Sequence, residues 1–116
     1  MRKIIVGCII LNMKILIIDT ADNKKISVGL KIDGKEFMKS KAVDANRTQG
    51  TLPLIVEILS EKKIKLSDLG AVKVDTGPGS FTGIRVGVSI ANALGFVLKI
   101  PVNGKKPMHF VEPSYT

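Results

Sequence analysis

The sequence contains no tryptophan, one tyrosine, one cysteine and one histidine. A surface that stacks the bases of single-stranded nucleic acid needs several aromatic side chains, so this class of protein is disfavoured. Cys8 has no second cysteine with which to form an internal disulfide or a cysteine-based metal site, and His109 has no second histidine. We therefore expect no resident metal and a reducing location, the cytoplasm.

Acidic residues are outnumbered by basic ones, 10 to 18, which gives a formal net charge of +8. The lysines are scattered along the chain, with pairs but no long run. A scattered excess is typical of a solvated surface and does not form a nucleic-acid groove. Direct binding of RNA is the alternative interpretation, and it predicts an affinity that falls steeply with salt.

The N-terminal apolar run, residues 4–11, is too short to cross a bilayer, which takes about 20 residues. No cleavage pattern of small residues follows it, so we expect neither export nor a membrane anchor. A length of 116 residues fits one domain. We expect an N-terminal extension at residues 1–12, which could add an edge strand, a single domain at residues 13–103, and an irregular tail at residues 104–116.

Hydrophobic periodicity predicts the order β-β-β-α-β-α, with a possible short last strand. The first three strands, residues 14–19, 25–32 and 35–43, form an antiparallel meander in which Asp33 and Gly34 make the first hairpin turn. Residues 44–50 are predicted as a polar turn, and a helix follows with Pro53 in its first turn. A strand at residues 71–74, a helix at residues 81–98 and a strand near residue 102 complete the order.

This order defines an α/β fold, a mixed sheet with helices on its faces. The same order occurs in the ribonuclease-H-like lobe of actin-like ATPases.

A glycine-rich turn joins the predicted fourth strand to the second helix. Its glycines permit backbone angles closed to other residues, and its hydroxyls can cap the free N–H groups of the helix. Because a helix N-terminus favours anions, one interpretation is a phosphate site shared with the turn after the first strand. The other is a capped strand–helix junction, which the residues alone favour, since no P-loop lysine is present. The candidate phosphate contacts are Asp19, Thr20, Gly77, Gly79, Ser80 and Thr82.

The second helix carries a small residue at every fourth position. Three glycines inside a helix cost about 3 kcal/mol relative to alanine, so the close approach of another backbone is expected to offset this cost. That backbone belongs either to the chain's own sheet or to a partner. A domain this small has little material to cover an apolar helix, which favours a partner. The predicted interface comprises Gly83, Gly87, Ala91, Gly95, Ile84, Val88, Leu52 and Ile55.

Residues 77–87, GPGSFTGIRVG, resemble the signature of the TsaB (YeaZ) family, which comprises non-catalytic relatives of TsaD. The opening hairpin of that family is similar to residues 14–20 and 26–30, KILIIDT and ISVGL. The family's first helix resembles residues 52–55, and the segment after its second helix resembles residues 100–102. The chain departs from the family pattern because it has almost nothing of the second actin-like lobe.

The resemblance implies an actin-like, ribonuclease-H-type lobe that serves as a non-catalytic scaffold in the formation of threonylcarbamoyladenosine beside the tRNA anticodon. It implies docking to a TsaD-like catalytic subunit, with a TsaE-like ATPase joining the complex and tRNA contacted indirectly. No catalytic residue is implied, and ATP and Mg²⁺ are expected only in the complex. The second helix is also predicted to be able to pair with a second copy of the chain. The alternative is an actin-like half-domain that binds ATP at its own phosphate site.

Overall fold

The computed structural model describes residues 14–22, 24–42, 47–79 and 81–104, with side chains for all of these except residues 47–49, 81 and 82. The predictions for residues 1–12 and for residues 105–116 of the tail lie outside this part of the chain. The elements in chain order are β1 (Lys14–Asp19), β2 (Lys25–Ile32), β3 (Lys35–Ala42), α1 (Arg47–Glu61), a 3₁₀ turn (Leu66–Asp68), β4 (Ala71–Val74) and α2 (Phe81–Leu98).

The described strands form one mixed sheet in the order β3-β2-β1-β4. The first three strands pair antiparallel, and β4 runs parallel to β1. Asp33 and Gly34 both have positive φ, 52° and 84°, as the tight turn of a twisted hairpin requires. The predicted α/β order and meander are therefore confirmed, while the last strand is reduced to one parallel bridge between Val72 and Val102.

Both helices pack on the same face of this sheet, which we call the helix face. Alternate residues of each strand point to it, since successive side chains of a strand point to opposite sides. Leu16 and Ile18 of β1 are fully buried there, beside the apolar side chains of β2. The opposite face, which we call the open face, has no helix of the described chain packed on it. The helix face therefore holds the core, which also includes Leu54, Ile58, Ile84, Val88 and Ala91.

Helix α1 begins earlier than predicted. Residues 47–50 are its first turn instead of a loop, so the prediction that Pro53 lies in the first turn is wrong. Thr51 is fully buried, and Gly50 lies close to the Ile26 side chain of β2. Packing of this turn on the sheet thus outweighs the local preference of proline, which in a helix interior removes one backbone hydrogen bond.

Helix α2 has the predicted bounds, Phe81–Leu98. It ends because Lys99 adopts a left-handed conformation, with φ 58°. The N–H of Ile100 then donates to the carbonyl of Gly95 at 3.1 Å, which closes the last turn as in a Schellman motif. Within the described chain, neither helix is long and apolar enough to cross a membrane.

Candidate functional site

The row of small residues on α2 lies against the chain's own strands. A methyl group added to Gly87 would collide with Oγ1 of Thr20 and lie 3.4 Å from Cγ2 of Ile18. Added to Gly95, it would lie 2.5 Å from Cγ2 of Val102. The hydroxyl of Thr20 donates a hydrogen bond to the carbonyl of Gly83. The glycines therefore do make close contacts, but those at Gly87 are with the side chains of Thr20 and Ile18 and not with a backbone. At Gly95 the nearest atom belongs to the Val102 side chain, and the backbone oxygen of Ile100 lies 3.2 Å from the added methyl group.

Seven of the eight predicted interface residues are buried within the described chain. Their surfaces are already covered by this chain, and at Gly87 and Gly95 the covering groups are side chains at the C-terminal end of β1 and of Val102. Only Leu52, with 47% of its surface exposed, remains available to a partner. The seven buried residues are Gly83, Ile84, Gly87, Val88, Ala91, Gly95 and Ile55.

A different apolar surface faces outward from the two helices. Val97 on α2 is 71% exposed and Val56 on α1 is 65% exposed. The α2 members recur at intervals of four, three and four residues, the spacing of the contact seam in helix bundles. We call this the outer helix surface, and it consists of Leu52 and Val56 on α1 with Val86, Ile90, Ala93 and Val97 on α2, all at least partly exposed.

Sequence reasoning missed the outer helix surface on α2. The spacing of Val86, Ile90, Ala93 and Val97 is visible in the sequence, but α2 is apolar nearly all round, so several stripes compete. Because the regularly spaced glycines were taken as the contact residues, the interface was predicted on the side of α2 that the sheet covers.

The two turns predicted to bind phosphate meet at one end of the sheet. The N–H of Asp75 donates to the carbonyl of Ile18 at 3.0 Å, and a methyl group on Gly79 would lie 2.6 Å from the carbonyl oxygen of Ala21. The turn that carries Asp19 and Thr20 therefore meets the turn that carries Gly77 and Gly79, with the contact between Ala21 and Gly79. Ser80 and the side chain of Thr82 lie outside the described residues.

The polar groups of these turns are engaged in holding the junction. An Asp19 carboxylate oxygen accepts from the N–H of Ala21 at 3.2 Å, and one of Asp75 accepts from the N–H of Gly77 at 2.9 Å. Thr20 is fully buried, with its hydroxyl on α2. Two carboxylates and a backbone carbonyl repel a phosphate. This geometry favours the capped junction, and the described chain holds no cluster of three or more possible metal ligands.

Part of the positive charge has a structural use. Lys39 of β3 donates to Glu61 of α1 at 2.7 Å and lies 3.6 Å from Glu57. The hydrogen bond to Glu61 is the main cause that raises the pKa of Lys39. The ammonium of Lys62 lies 3.8 Å from the ring centre of Phe37. These contacts join α1 to β3, so these two lysines are not part of a free basic groove.

Comparison with known proteins gives a consistent result. A family model described as TsaD, tRNA N6-adenosine threonylcarbamoyltransferase, matches residues 41–109. The tRNA threonylcarbamoyladenosine biosynthesis protein TsaB of Escherichia coli is 38% identical over 92 residues, which cover 79% of this chain and 39% of that protein. TsaB of Haemophilus influenzae is 36% identical over 91 residues, which cover 78% of this chain and 38% of that protein.

The solved structure of YeaZ from Pseudomonas aeruginosa has the same fold. It superposes with a TM-score of 0.73 at 30% identity and covers 78% of this chain and 42% of that one. The prediction of a ribonuclease-H-like, actin-like lobe is confirmed by this match. The chain spans about two fifths of the length of these relatives, 38% to 42%.

Proposed function

Because the chain belongs to the TsaB (YeaZ) family of TsaD-related proteins, we propose that it acts in the biosynthesis of threonylcarbamoyladenosine on tRNA. Its role is that of a non-catalytic subunit that docks on a TsaD-like catalytic subunit. The observation that carries this role is the outer helix surface, the exposed apolar side chains on both helices.

The exposure of this surface supports a docking function. Val97, Val56 and Leu52 are large apolar side chains with 71%, 65% and 47% of their surfaces exposed. Burial of apolar surface stabilises an association by roughly 25 cal/mol for each Å² removed from water. Contiguous exposed apolar patches on soluble domains commonly mark interaction sites. A helix pair with this surface can complete a four-helix arrangement with a second helix pair.

The related transferase is the partner that fits this geometry. The family model that matches residues 41–109 describes a TsaD protein, so a TsaD-like subunit carries a lobe related to this one. Related lobes can pair through equivalent surfaces, in the manner of a two-fold dimer. Pairing with a second copy of this chain would use the same surface and would compete with the transferase.

The other components are proposed to enter through that partner. ATP and Mg²⁺ bind in the complex, to which a TsaE-like ATPase is recruited, and tRNA contacts the catalytic subunit. This proposal is supported by the contacts of the polar groups in the two turns. The carboxylates of Asp19 and Asp75 accept hydrogen bonds from N–H groups of their own turns, and the hydroxyl of Thr20 donates to the carbonyl of Gly83 on α2. None of these groups is preorganised for catalysis in the described part of the chain.

Co-purification tests the proposed role. The full chain carrying an affinity tag is expressed with the TsaD-like protein of the same genome, and the captured material is identified by mass spectrometry. We expect the TsaD-like protein to be retained, and expect tRNA modification to require that protein and not to proceed with the chain alone. Failure to retain it, or modification by the chain alone, contradicts the proposal.

The alternative, a nucleotide-binding half-domain, predicts that the chain binds Mg-ATP in solution, and the proposed function predicts that it does not. Calorimetry of the full chain with Mg-ATP is expected to show no binding tighter than about 0.1 mM, which corresponds to roughly 5.5 kcal/mol. The reason is that the two facing turns present carboxylates and a carbonyl where a phosphate would lie. Stoichiometric binding below that concentration would favour the nucleotide-binding alternative.

A further inference from the structure

The α1 half of the outer helix surface contains a shallow groove with a volume of about 580 Å³. Its floor is apolar and one border is acidic. Helix α2 contains no aspartate or glutamate, so the carboxylates beside the outer helix surface lie on its α1 side. The groove is lined by Leu52, Pro53, Val56, Glu57, Ser60 and Glu61.

The two carboxylates of this border share one cation unequally. The ammonium of Lys39 hydrogen-bonds Glu61 at 2.7 Å but lies 3.6 Å from Glu57. The ammonium of Lys62, just after α1, lies over Phe37 of β3, 3.8 Å from its ring centre. The Glu57 side chain is 56% exposed. Within the described chain, Glu57 is therefore the less neutralised of the two carboxylates, and it lies beside the exposed Val56.

Docking on the groove changes the surroundings of Glu57. A partner helix that covers Leu52 and Val56 also removes water from the adjacent carboxylate. A carboxylate that loses its water costs free energy unless an opposite charge replaces the lost hydration. Lys39 cannot fully supply that charge, because it is already hydrogen-bonded to Glu61. A cation of the partner would compensate for the lost water.

We propose that Glu57 determines the specificity of docking, and that the TsaD-like subunit presents a lysine or arginine to it, beside an apolar side chain that fills the groove between Leu52 and Val56. This inference rests on the proposed function and names the chemistry that the partner must carry. An apolar centre with a charged rim is the usual anatomy of a protein interface. Charge complementarity at such a rim favours one partner over others and makes the association depend on salt.

Charge substitutions at Glu57 test the inference. The dissociation constant of the complex between the full chain and the TsaD-like subunit is measured by calorimetry at about 50 mM and about 300 mM sodium chloride, a range over which exposed charges become screened. The variants are Glu57→Gln and Glu57→Lys. The matched controls are Glu36→Gln and Glu36→Lys, which make the same changes in net charge at an exposed glutamate of β3, outside both helices.

At the lower salt concentration we expect Glu57→Gln to weaken binding about fivefold and Glu57→Lys about tenfold or more, because one removes the attraction and the other replaces it by repulsion. Both effects should shrink at the higher salt concentration. The Glu36 variants should bind like the unsubstituted chain at each salt concentration. Circular dichroism and thermal unfolding of each variant confirm that the affinities refer to folded chains.

The contrary results separate this inference from the proposed function. A complex that Glu57→Lys weakens no more than Glu36→Lys would overturn the inference and leave the proposed function intact. An unchanged affinity of Glu57→Gln at both salt concentrations would also overturn it, since no cation of the partner would then face Glu57. Failure of the unsubstituted chain to bind the TsaD-like subunit would overturn the proposed function and this inference together.

Discussion

At the scale of single residues, the glycines of α2 show how a neighbour fixes a residue type. Gly87 lies against Thr20, whose hydroxyl is held by the carbonyl of Gly83. Thr20 and Gly83 are 63 positions apart in the chain. The sequence was sufficient to predict that another element packs closely against these glycines. It was not sufficient to identify that element, or to show that side chains and not a backbone contact Gly87, because the contact depends on how β1 and α2 are placed in space.

Alanine substitutions distinguish a glycine that has no room for a methyl group, Gly87, from one that has room for it, Gly50. Gly87→Ala is expected to lower the free energy of unfolding by about 1–3 kcal/mol, because the new methyl group overpacks against Thr20. Gly50→Ala is expected to raise it by up to about 1 kcal/mol, since the methyl group meets only the flexible end of Ile26 at 3.3 Å and alanine favours the helix. Urea unfolding of both variants checks this. Equal or greater stability of Gly87→Ala would show that the close contact is not real.

At the scale of secondary structure, the edge of β4 depends on one side chain. Asn103 accepts a hydrogen bond from the N–H of Val74 at 2.8 Å and donates one to its carbonyl at 2.9 Å. Its own N–H donates to the carbonyl of Val72 at 2.8 Å. The side-chain amide of Asn103 thus makes the two hydrogen bonds to Val74 that the backbone of a neighbouring strand would otherwise make. The predicted last strand is short because this side chain completes the pairing.

Replacement of Asn103 by glycine tests this edge. Glycine tolerates the positive φ of 52°, so the variant removes the two side-chain hydrogen bonds without added backbone strain. We expect a loss of about 1–3 kcal/mol in the free energy of unfolding, since both backbone groups of Val74 lose their partners. Asn103→Asp keeps the acceptor for the N–H of Val74 but places a carboxylate oxygen against the carbonyl of Val74, so it should also be less stable than the unsubstituted chain. Thermal unfolding of the three chains measures the order, and an unchanged midpoint for Asn103→Gly would contradict it.

Elements were more predictable than their packing. The strands and α2 were evident from periodicity because each has a regular pattern and clear turn residues at its ends, such as Asp33 and Gly34. The start of α1 was missed because Gly50 and Pro53 are poor helix residues locally, while burial of Thr51 on the sheet stabilises the turn that contains them. Tertiary packing thus outweighed helix propensity at the start of α1.

At the scale of the whole molecule, close packing and apolar exposure lie on two different sides of α2, whereas the sequence analysis assigned both to one stripe. The small residues pack against the sheet, and the outer helix surface, about a third of a turn away on the same helix, stays partly exposed in the described chain. The docking hypothesis therefore no longer depends on the glycines. It depends on Val56 and Val97, which the described chain leaves exposed.

The most direct test of this account is the dissociation constant of the complex with the TsaD-like subunit, measured by calorimetry for three forms of the full chain. Val97→Asp places a charge in the outer helix surface and should weaken binding by about 30-fold or more, as for a contact worth about 2 kcal/mol. Leu66→Asp, at a 42% exposed leucine outside both helices, is the matched control and should bind like the unsubstituted chain. Equal affinities for all three forms would contradict docking through this surface.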